Sequence, residues 1–187
     1  MKRVIKVDVY GKCGTLALNR GYEQEAISQY KFYLSFENNK CPFYATEKIY
    51  RIIDQDISSN PPVPVVLGPN KTWYEEHLPS NSFIHVDDFE NPERLAKYLD
   101  YLDKHHEAYI QYLNWRRTYK KVCDAELSVC KLCHKLVNSS LVTNKTPGIQ
   151  DFESFWKRAE CQNVIENSDS ESSTFVMLRW FYWSLGL

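Results

Sequence analysis

Tyr30-Lys31-Phe32-Tyr33-Leu34-Ser35-Phe36-Glu37-Asn38-Asn39-Lys40-Cys41-Pro42-Phe43-Tyr44-Ala45-Thr46-Glu47-Lys48 is the passage on which the fold turns. Lys31 to Phe36 alternates with period two and sets Phe32, Leu34 and Phe36 on one face, the pattern of a strand. Thr46 to Ile53 then reads as a helix. The polar residues gather in the connection, which brings Glu37, Asn38, Tyr44, Glu47 and Lys48 to the carboxyl end of a strand. Open α/β sheets bind their ligands at that end.

The flanking sequence extends the same alternation of elements. Val4 to Val9 reads as a strand, Glu23 to Gln29 as a short helix, Val63 to Leu67 as a buried strand ended by Gly68-Pro69, and Phe83 to Val86 as another strand. Pro61 and Pro62 stop any helix before Val63. Asn91-Pro92 opens a helix in which Leu95, Tyr98, Leu99 and Leu102 recur at helical spacing. A longer helix is expected from about Glu107, with Tyr109, Tyr112, Leu113 and Arg116 on one side. Strands alternating with helices predict an α/β, largely parallel sheet with flanking helices. This domain occupies residues 1–140, and residues 141–187 form a divergent tail, read as a helical extension. Within the tail, Glu166 to Thr174 is a polar linker and the apolar run Phe175 to Leu187 is a core helix or strand. That run is shorter than the ~20 residues a helix needs to cross a bilayer.

Composition excludes several classes. A 43% hydrophobic and 14% aromatic content is that of a folded domain with a core. The net charge of −1 gives no bulk attraction to nucleic acid or to an anionic membrane. Lys104, His105 and His106, and Arg116, Arg117, Lys120 and Lys121, are read as solvated helix faces. The loop itself allows two readings. Lys48 can meet phosphate oxygens, Glu47 can accept bonds from ribose hydroxyls, and Asn38 and Tyr44 can orient a sugar or phosphate. Alternatively, Thr46 caps a helix and Glu47 and Lys48 are merely solvated.

Motif order distinguishes the two. Val7 to Gly14 (Val-Asp-Val-Tyr-Gly-Lys-Cys-Gly), Tyr30 to Asn38, Tyr44 to Lys48 (Tyr-Ala-Thr-Glu-Lys), Pro64 to Pro69 (Pro-Val-Val-Leu-Gly-Pro) and Ser82 to Phe89 (Ser-Phe-Ile-His-Val-Asp-Asp-Phe) together resemble the α-1,3-fucosyltransferases of glycosyltransferase family 10. The resemblance continues through Tyr98 to Trp115 and the Cys130, Cys133 pair. It implies the carboxyl-terminal, Rossmann-like, GDP-fucose-binding half of a two-domain GT-B enzyme. Asn38, Tyr44, Glu47 and Lys48 fall on its donor-binding positions, with Glu47 on the ribose, Lys48 on the diphosphate and Glu37 beside them as a structural residue. No cofactor or metal is implied, because basic side chains neutralise the leaving diphosphate. The family's general base lies in an amino-terminal acceptor-binding domain, and a phosphate-binding arginine lies upstream of Val7. Neither has a counterpart here, so no catalytic residue is identified and the chain is expected to be an incomplete half. Were a base to lie within the chain, Glu37 and Asp87 are the first candidates. The implied partners are GDP-fucose and a glycan acceptor on a glycoprotein or glycolipid. The implied location is the Golgi lumen, reached through an amino-terminal membrane anchor outside this sequence.

Two departures from the family pattern stand out. Ile52 to Val63, with Asp54, Asp56, Ser58, Ser59, Asn60 and two prolines, adds a loop behind the donor site that bears on how firmly Lys48 is held. Asp151 to Cys161 resembles only the carboxyl-terminal segments of invertebrate and plant members.

The cysteines Cys13, Cys41, Cys123, Cys130, Cys133 and Cys161 leave two readings open. Sequons at Asn70, Asn138 and Asn144 favour lumenal disulfides, for which Cys130, Cys133, Cys123 and Cys161 are candidates. Cys130-Lys-Leu-Cys133-His134 also spells a haem-attachment or thiol-redox pattern. Three functions follow: a fucosyltransferase half, a non-catalytic GDP-sugar-binding module, and a haem or redox protein. His85, flanked by Asp87 and Asp88, is read as structural, since His85 and Asp87 share a strand face while Asp88 points away.

Overall fold

The computed structural model describes residues 5–10, 14, 16–17, 21–119, 124–137, 162–163 and 175–178. Two compact units divide the chain, one of Met1–Tyr119 with Cys161–Leu187 and one of Lys120–Glu160. The second unit's described part is a single helix, Asp124–Val137.

The first unit is built on the strand read from the sequence. Strand β1 (Asp8–Tyr10), helix α1 (Glu23–Ser28), β2 (Phe32–Phe36), the short β3 (Asn39–Lys40), α2 (Glu47–Ile53), β4 (Val63–Leu67), α3 (Lys71–His77), β5 (Ile84–His85), α4 (Pro92–Lys104) and α5 (His106–Gln111) follow in order. With α6 as Asp124–Val137, two further strands are β6 (Gln162–Asn163) and β7 (Phe175–Leu178). Strands β2, β4 and β5 are parallel neighbours, as expected. Among the described residues the sheet runs β1-β7-β2-β4-β5 and is mixed, because β7 lies antiparallel between β1 and β2. Of the two forms open to the apolar run from Phe175, its described residues take the strand.

Both faces of β2 are covered. Phe32 and Leu34 join Val63, Val65, Ile84 and the α4 residues Leu95, Leu99 and Leu102 in one core. Tyr33 points the other way, toward Ile27 and Ile52, while Val66 packs with Ile49 and Tyr74. Helices α1, α2 and α3 therefore cover one face, and α4 and α5 the other. Pro64 is tolerated inside β4 because alternate amides face alternate neighbours. Val63 donates to Lys31 O on the β2 side, which puts Pro64 on the β5 side, and β5 pairs only from Val65 onward.

Helix α4 starts as read: Asn91 Oδ1 accepts from the amides of Glu93 and Arg94, with Pro92 behind it. Helix α3 has no counterpart in the sequence reading. Asn70, singled out there only as a sequon, caps α3 by accepting from Trp73 N at 2.9 Å. The helix expected from Glu107 is short, and a 3₁₀ turn at Asn114–Arg117 follows it.

That turn overturns the solvated reading of Arg116. The residue is buried at 8% exposure, and its guanidinium donates to the carbonyls of Ile52, Ile53 and Gln55 at the end of α2. Burial pulls its pKa down to about 10. The residue 52–63 departure is thus an ordered connection. Asp56 accepts from Ser58 N, Asn60 takes a left-handed conformation at φ 51, and Pro61 and Pro62 are buried. Replacing Arg116 with methionine keeps the aliphatic stem but strips three carbonyls of their donor. Stability to urea should fall by roughly 2–4 kcal/mol, seen as a lower midpoint at unchanged slope.

Candidate donor-binding site

The site lies where β2, β4 and β5 end. Glu37 follows β2, Gly68 follows β4, and Asp87 and Asp88 follow β5. Glu37 is 2% exposed, and its carboxylate organises the loop. Oε1 accepts from Thr46 N at 2.8 Å, the Thr46 hydroxyl lies 2.8 Å from Oε2, and Lys48 Nζ donates to Oε2 at 3.1 Å. Thr46 occupies the cap position of α2 without any capping bond from its own side chain. The expected threonine cap is therefore replaced by a carboxylate from the preceding strand, which satisfies the amide at the helix start. Its oxygens are hydrogen-bonded and sealed from solvent, the surroundings of a structural anchor.

Gly68 makes room for the Glu37 side chain. A Cβ there would stand 2.8 Å from Glu37 Cγ and 3.0 Å from the Tyr74 hydroxyl. The amide of Glu37 also donates to Leu67 O at 2.7 Å, so the ends of β2 and β4 are drawn together under the site.

Lys48 is held rather than solvated. Its side chain is 18% exposed and its ammonium bonds Glu37 Oε2 and Thr46 Oγ1, each at 3.1 Å. An ammonium has three donors. Two are fixed to protein and set the direction of the third. Glu47 is 62% exposed at its side chain, with a carboxylate oxygen 4.0 Å from the same nitrogen. Asn38 is exposed and Tyr44 half-buried on the loop between β2 and α2. The structure thus brings Glu47 and Lys48 together at one helix start and sets Asn38 and Tyr44 on the loop that leads to it.

Further ties hold the loop. Lys40 on β3 pairs with Asp87 at 2.6 Å, and β3 forms a separate two-stranded ladder with β6. Residues Cys41 to Tyr44 make a turn closed by Tyr44 N donating to Cys41 O, in which Phe43 has φ 65 while being 80% exposed. Left-handed backbone is unfavourable for an aromatic residue and persists where the surroundings impose it. Cys41, absent from the disulfide candidates, is 5% exposed and disulfide-bonded. Cys130 and Cys133, which are among those candidates, are exposed free thiols on α6. Cys123 and Cys161 lie outside the described residues, as do Asn138 and Asn144.

His85 is fully buried. Its Nδ1 accepts from Asp87 N, which leaves Nε2 to donate to Pro69 O at 3.1 Å. Asp88 is drawn to Lys71 at 2.8 Å instead. Among the described residues no cluster of three or more His, Cys, Asp or Glu could hold a metal ion, and no helix is long and apolar enough to cross a membrane.

Comparison with known proteins identifies the family. The sequence model of glycosyltransferase family 10 (fucosyltransferase), C-term, matches residues 1–155. The chain belongs to glycosyltransferase family 10. Among curated members, the 4-galactosyl-N-acetylglucosaminide 3-alpha-L-fucosyltransferase FUT6 of Pongo pygmaeus is 47% identical over 73% of this chain and 37% of its own length. The 3-galactosyl-N-acetylglucosaminide 4-alpha-L-fucosyltransferase FUT3 of Homo sapiens is 46% identical over the same shares. The chain therefore spans little more than a third of these relatives. A solved alpha1,3-fucosyltransferase with GDP-fucose aligns with 54% of this chain and 28% of its own, at 33% identity and a TM-score of 0.45.

Two substitutions probe the geometry. Gly68→Ala should cost roughly 1–3 kcal/mol of stability by forcing Glu37 aside. Phe43→Gly should leave stability equal or higher by about 1 kcal/mol, since it relieves left-handed strain and removes no packing. Denaturant titration reads both.

Proposed function

We propose that this chain is the donor-binding half of an α-1,3-fucosyltransferase and binds GDP-fucose through the loop from Glu37 to Lys48. The observation that carries the reading is the Lys48 ammonium, immobilised by Glu37 and Thr46 beyond the carboxyl ends of three parallel strands. A cation held in place loses little freedom when it meets a phosphate, which is the condition for electrostatic stabilisation of a leaving diphosphate. Lys48 takes the diphosphate and Glu47 the ribose hydroxyls, while Asn38 and Tyr44 orient the rest of the donor.

In the transfer reaction an acceptor hydroxyl, on N-acetylglucosamine of a glycoprotein or glycolipid glycan, attacks the anomeric carbon of fucose. The carbon–oxygen bond to GDP breaks with inversion, and a base takes the hydroxyl proton. The negative charge that builds on the departing diphosphate is what Lys48 faces, and donor binding needs no metal. The base is assigned to the acceptor-binding domain of the whole enzyme, which works in the Golgi lumen as a membrane-tethered protein.

A second reading is a GDP-sugar-binding module without turnover. The two predict the same binding and differ in turnover. Calorimetry of the folded chain should show GDP and GDP-fucose binding equally with and without EDTA. Lys48→Ala should weaken GDP by about ten- to a hundredfold, the loss of a charge-assisted contact of roughly 1.5–3 kcal/mol, and Glu47→Ala by less. Failure of both ligands to bind would overturn the donor-domain reading. Fucosyl transfer by the 187-residue chain alone would overturn its dependence on an outside base, and Asp87 would then be the carboxylate to replace.

A further inference from the structure

Cys41 is disulfide-bonded, and its partner is identifiable from backbone register. The ladder of β3 with β6 sets Asn39 opposite Asn163 and Lys40 opposite Gln162. Continued one step, the same antiparallel register would set Cys41 opposite position 161, where the sequence has Cys161. Directly opposed residues of an antiparallel pair hold their Cβ atoms at about the spacing a disulfide requires. Cys130 and Cys133 are free thiols, which removes them from the choice.

We propose that Cys41 and Cys161 form a disulfide that fastens the donor loop to the segment leading to β7. The bond forms as two thiols give up two protons and two electrons to a disulfide oxidant such as oxidised glutathione, which leaves as two thiols. Its position gives it a role beyond general stability. Cys41 begins the turn in which Phe43 is left-handed, and the turn delivers the chain to Tyr44, Thr46 and Lys48. On one side Lys40 is tied to Asp87, and on the other Thr46 is tied to Glu37. The disulfide supplies a third fixed point between them, inside the loop. Cys41 and Cys161 are thus positioning residues. This function rests on the donor reading above, whereas the bond itself does not.

The test uses the full chain secreted from a eukaryotic host, blocked with N-ethylmaleimide before digestion with trypsin. The expected product is peptide 41–48 joined to peptide 159–179, parting on reduction. Maleimide on Cys41, or Cys41 joined to Cys13 or Cys123, would overturn the pairing. Amide hydrogen exchange then reads the clamp: reduction should speed exchange across residues 38–46 at least tenfold, and Cys161→Ser should reproduce the effect without reductant. Unchanged exchange in the reduced protein would overturn the positioning role. GDP titration of the same linked sample is a separate readout. Absence of binding there, with the linked peptide present, would count against the donor reading and leave the disulfide standing.

Discussion

The contact on which the site depends is the buried carboxylate of Glu37, which holds a backbone amide, a hydroxyl and an ammonium at once. Removing a carboxylate from water is costly, and the cost is offset only where its oxygens are fully bonded. Thr46 and Lys48 meet that condition here. The same bonds start α2, join it to the end of β2 and point Lys48. Gly68 belongs to this arrangement, since a side chain there would collide with the Glu37 methylenes that carry the carboxylate.

Helix α2 is too short to persist unaided, because nucleation is unfavourable and a helix of two turns gains little by propagation. It is held at both ends by buried charges of opposite sign. Glu37 meets the amide at its start and Arg116 gathers the carbonyls at its finish. Each charge also suits the partial charge of the helix end it meets. A segment with weak intrinsic helix stability is thereby made a firm mount for Lys48, and the sequence between Ile52 and Val63 belongs to the mount.

The sheet was legible because its strands are simple. Val63 to Leu67 is a run of apolar residues buried on both faces, and its limits can be read directly from the sequence. Helix α4 announces itself through Asn91-Pro92. Helix α3 was missed because Asn70 carries two signals at once, and the sequon hid the cap. Arg116 was misread because charge in sequence says solvent, whereas only tertiary structure shows three carbonyls converging on it. Burial of Glu37 was foreshadowed by its place after an alternating strand, but its exchange of roles with Thr46 was not, since local sequence favours threonine as the cap. Cys41 stood among the cysteines but not among the disulfide candidates, because spacing alone gives no register.

Strand β7 lies between β1 and β2, so β1 has no neighbour in the sheet until Phe175–Leu178 arrives. During synthesis on the ribosome, the parallel core of β2, β4 and β5 can assemble as soon as α4 and α5 emerge, while β1 must wait until Phe175–Leu178 has followed. Strand β1 therefore locks in place after the parallel core. Until then, whatever precedes it is tethered to a core that has already formed.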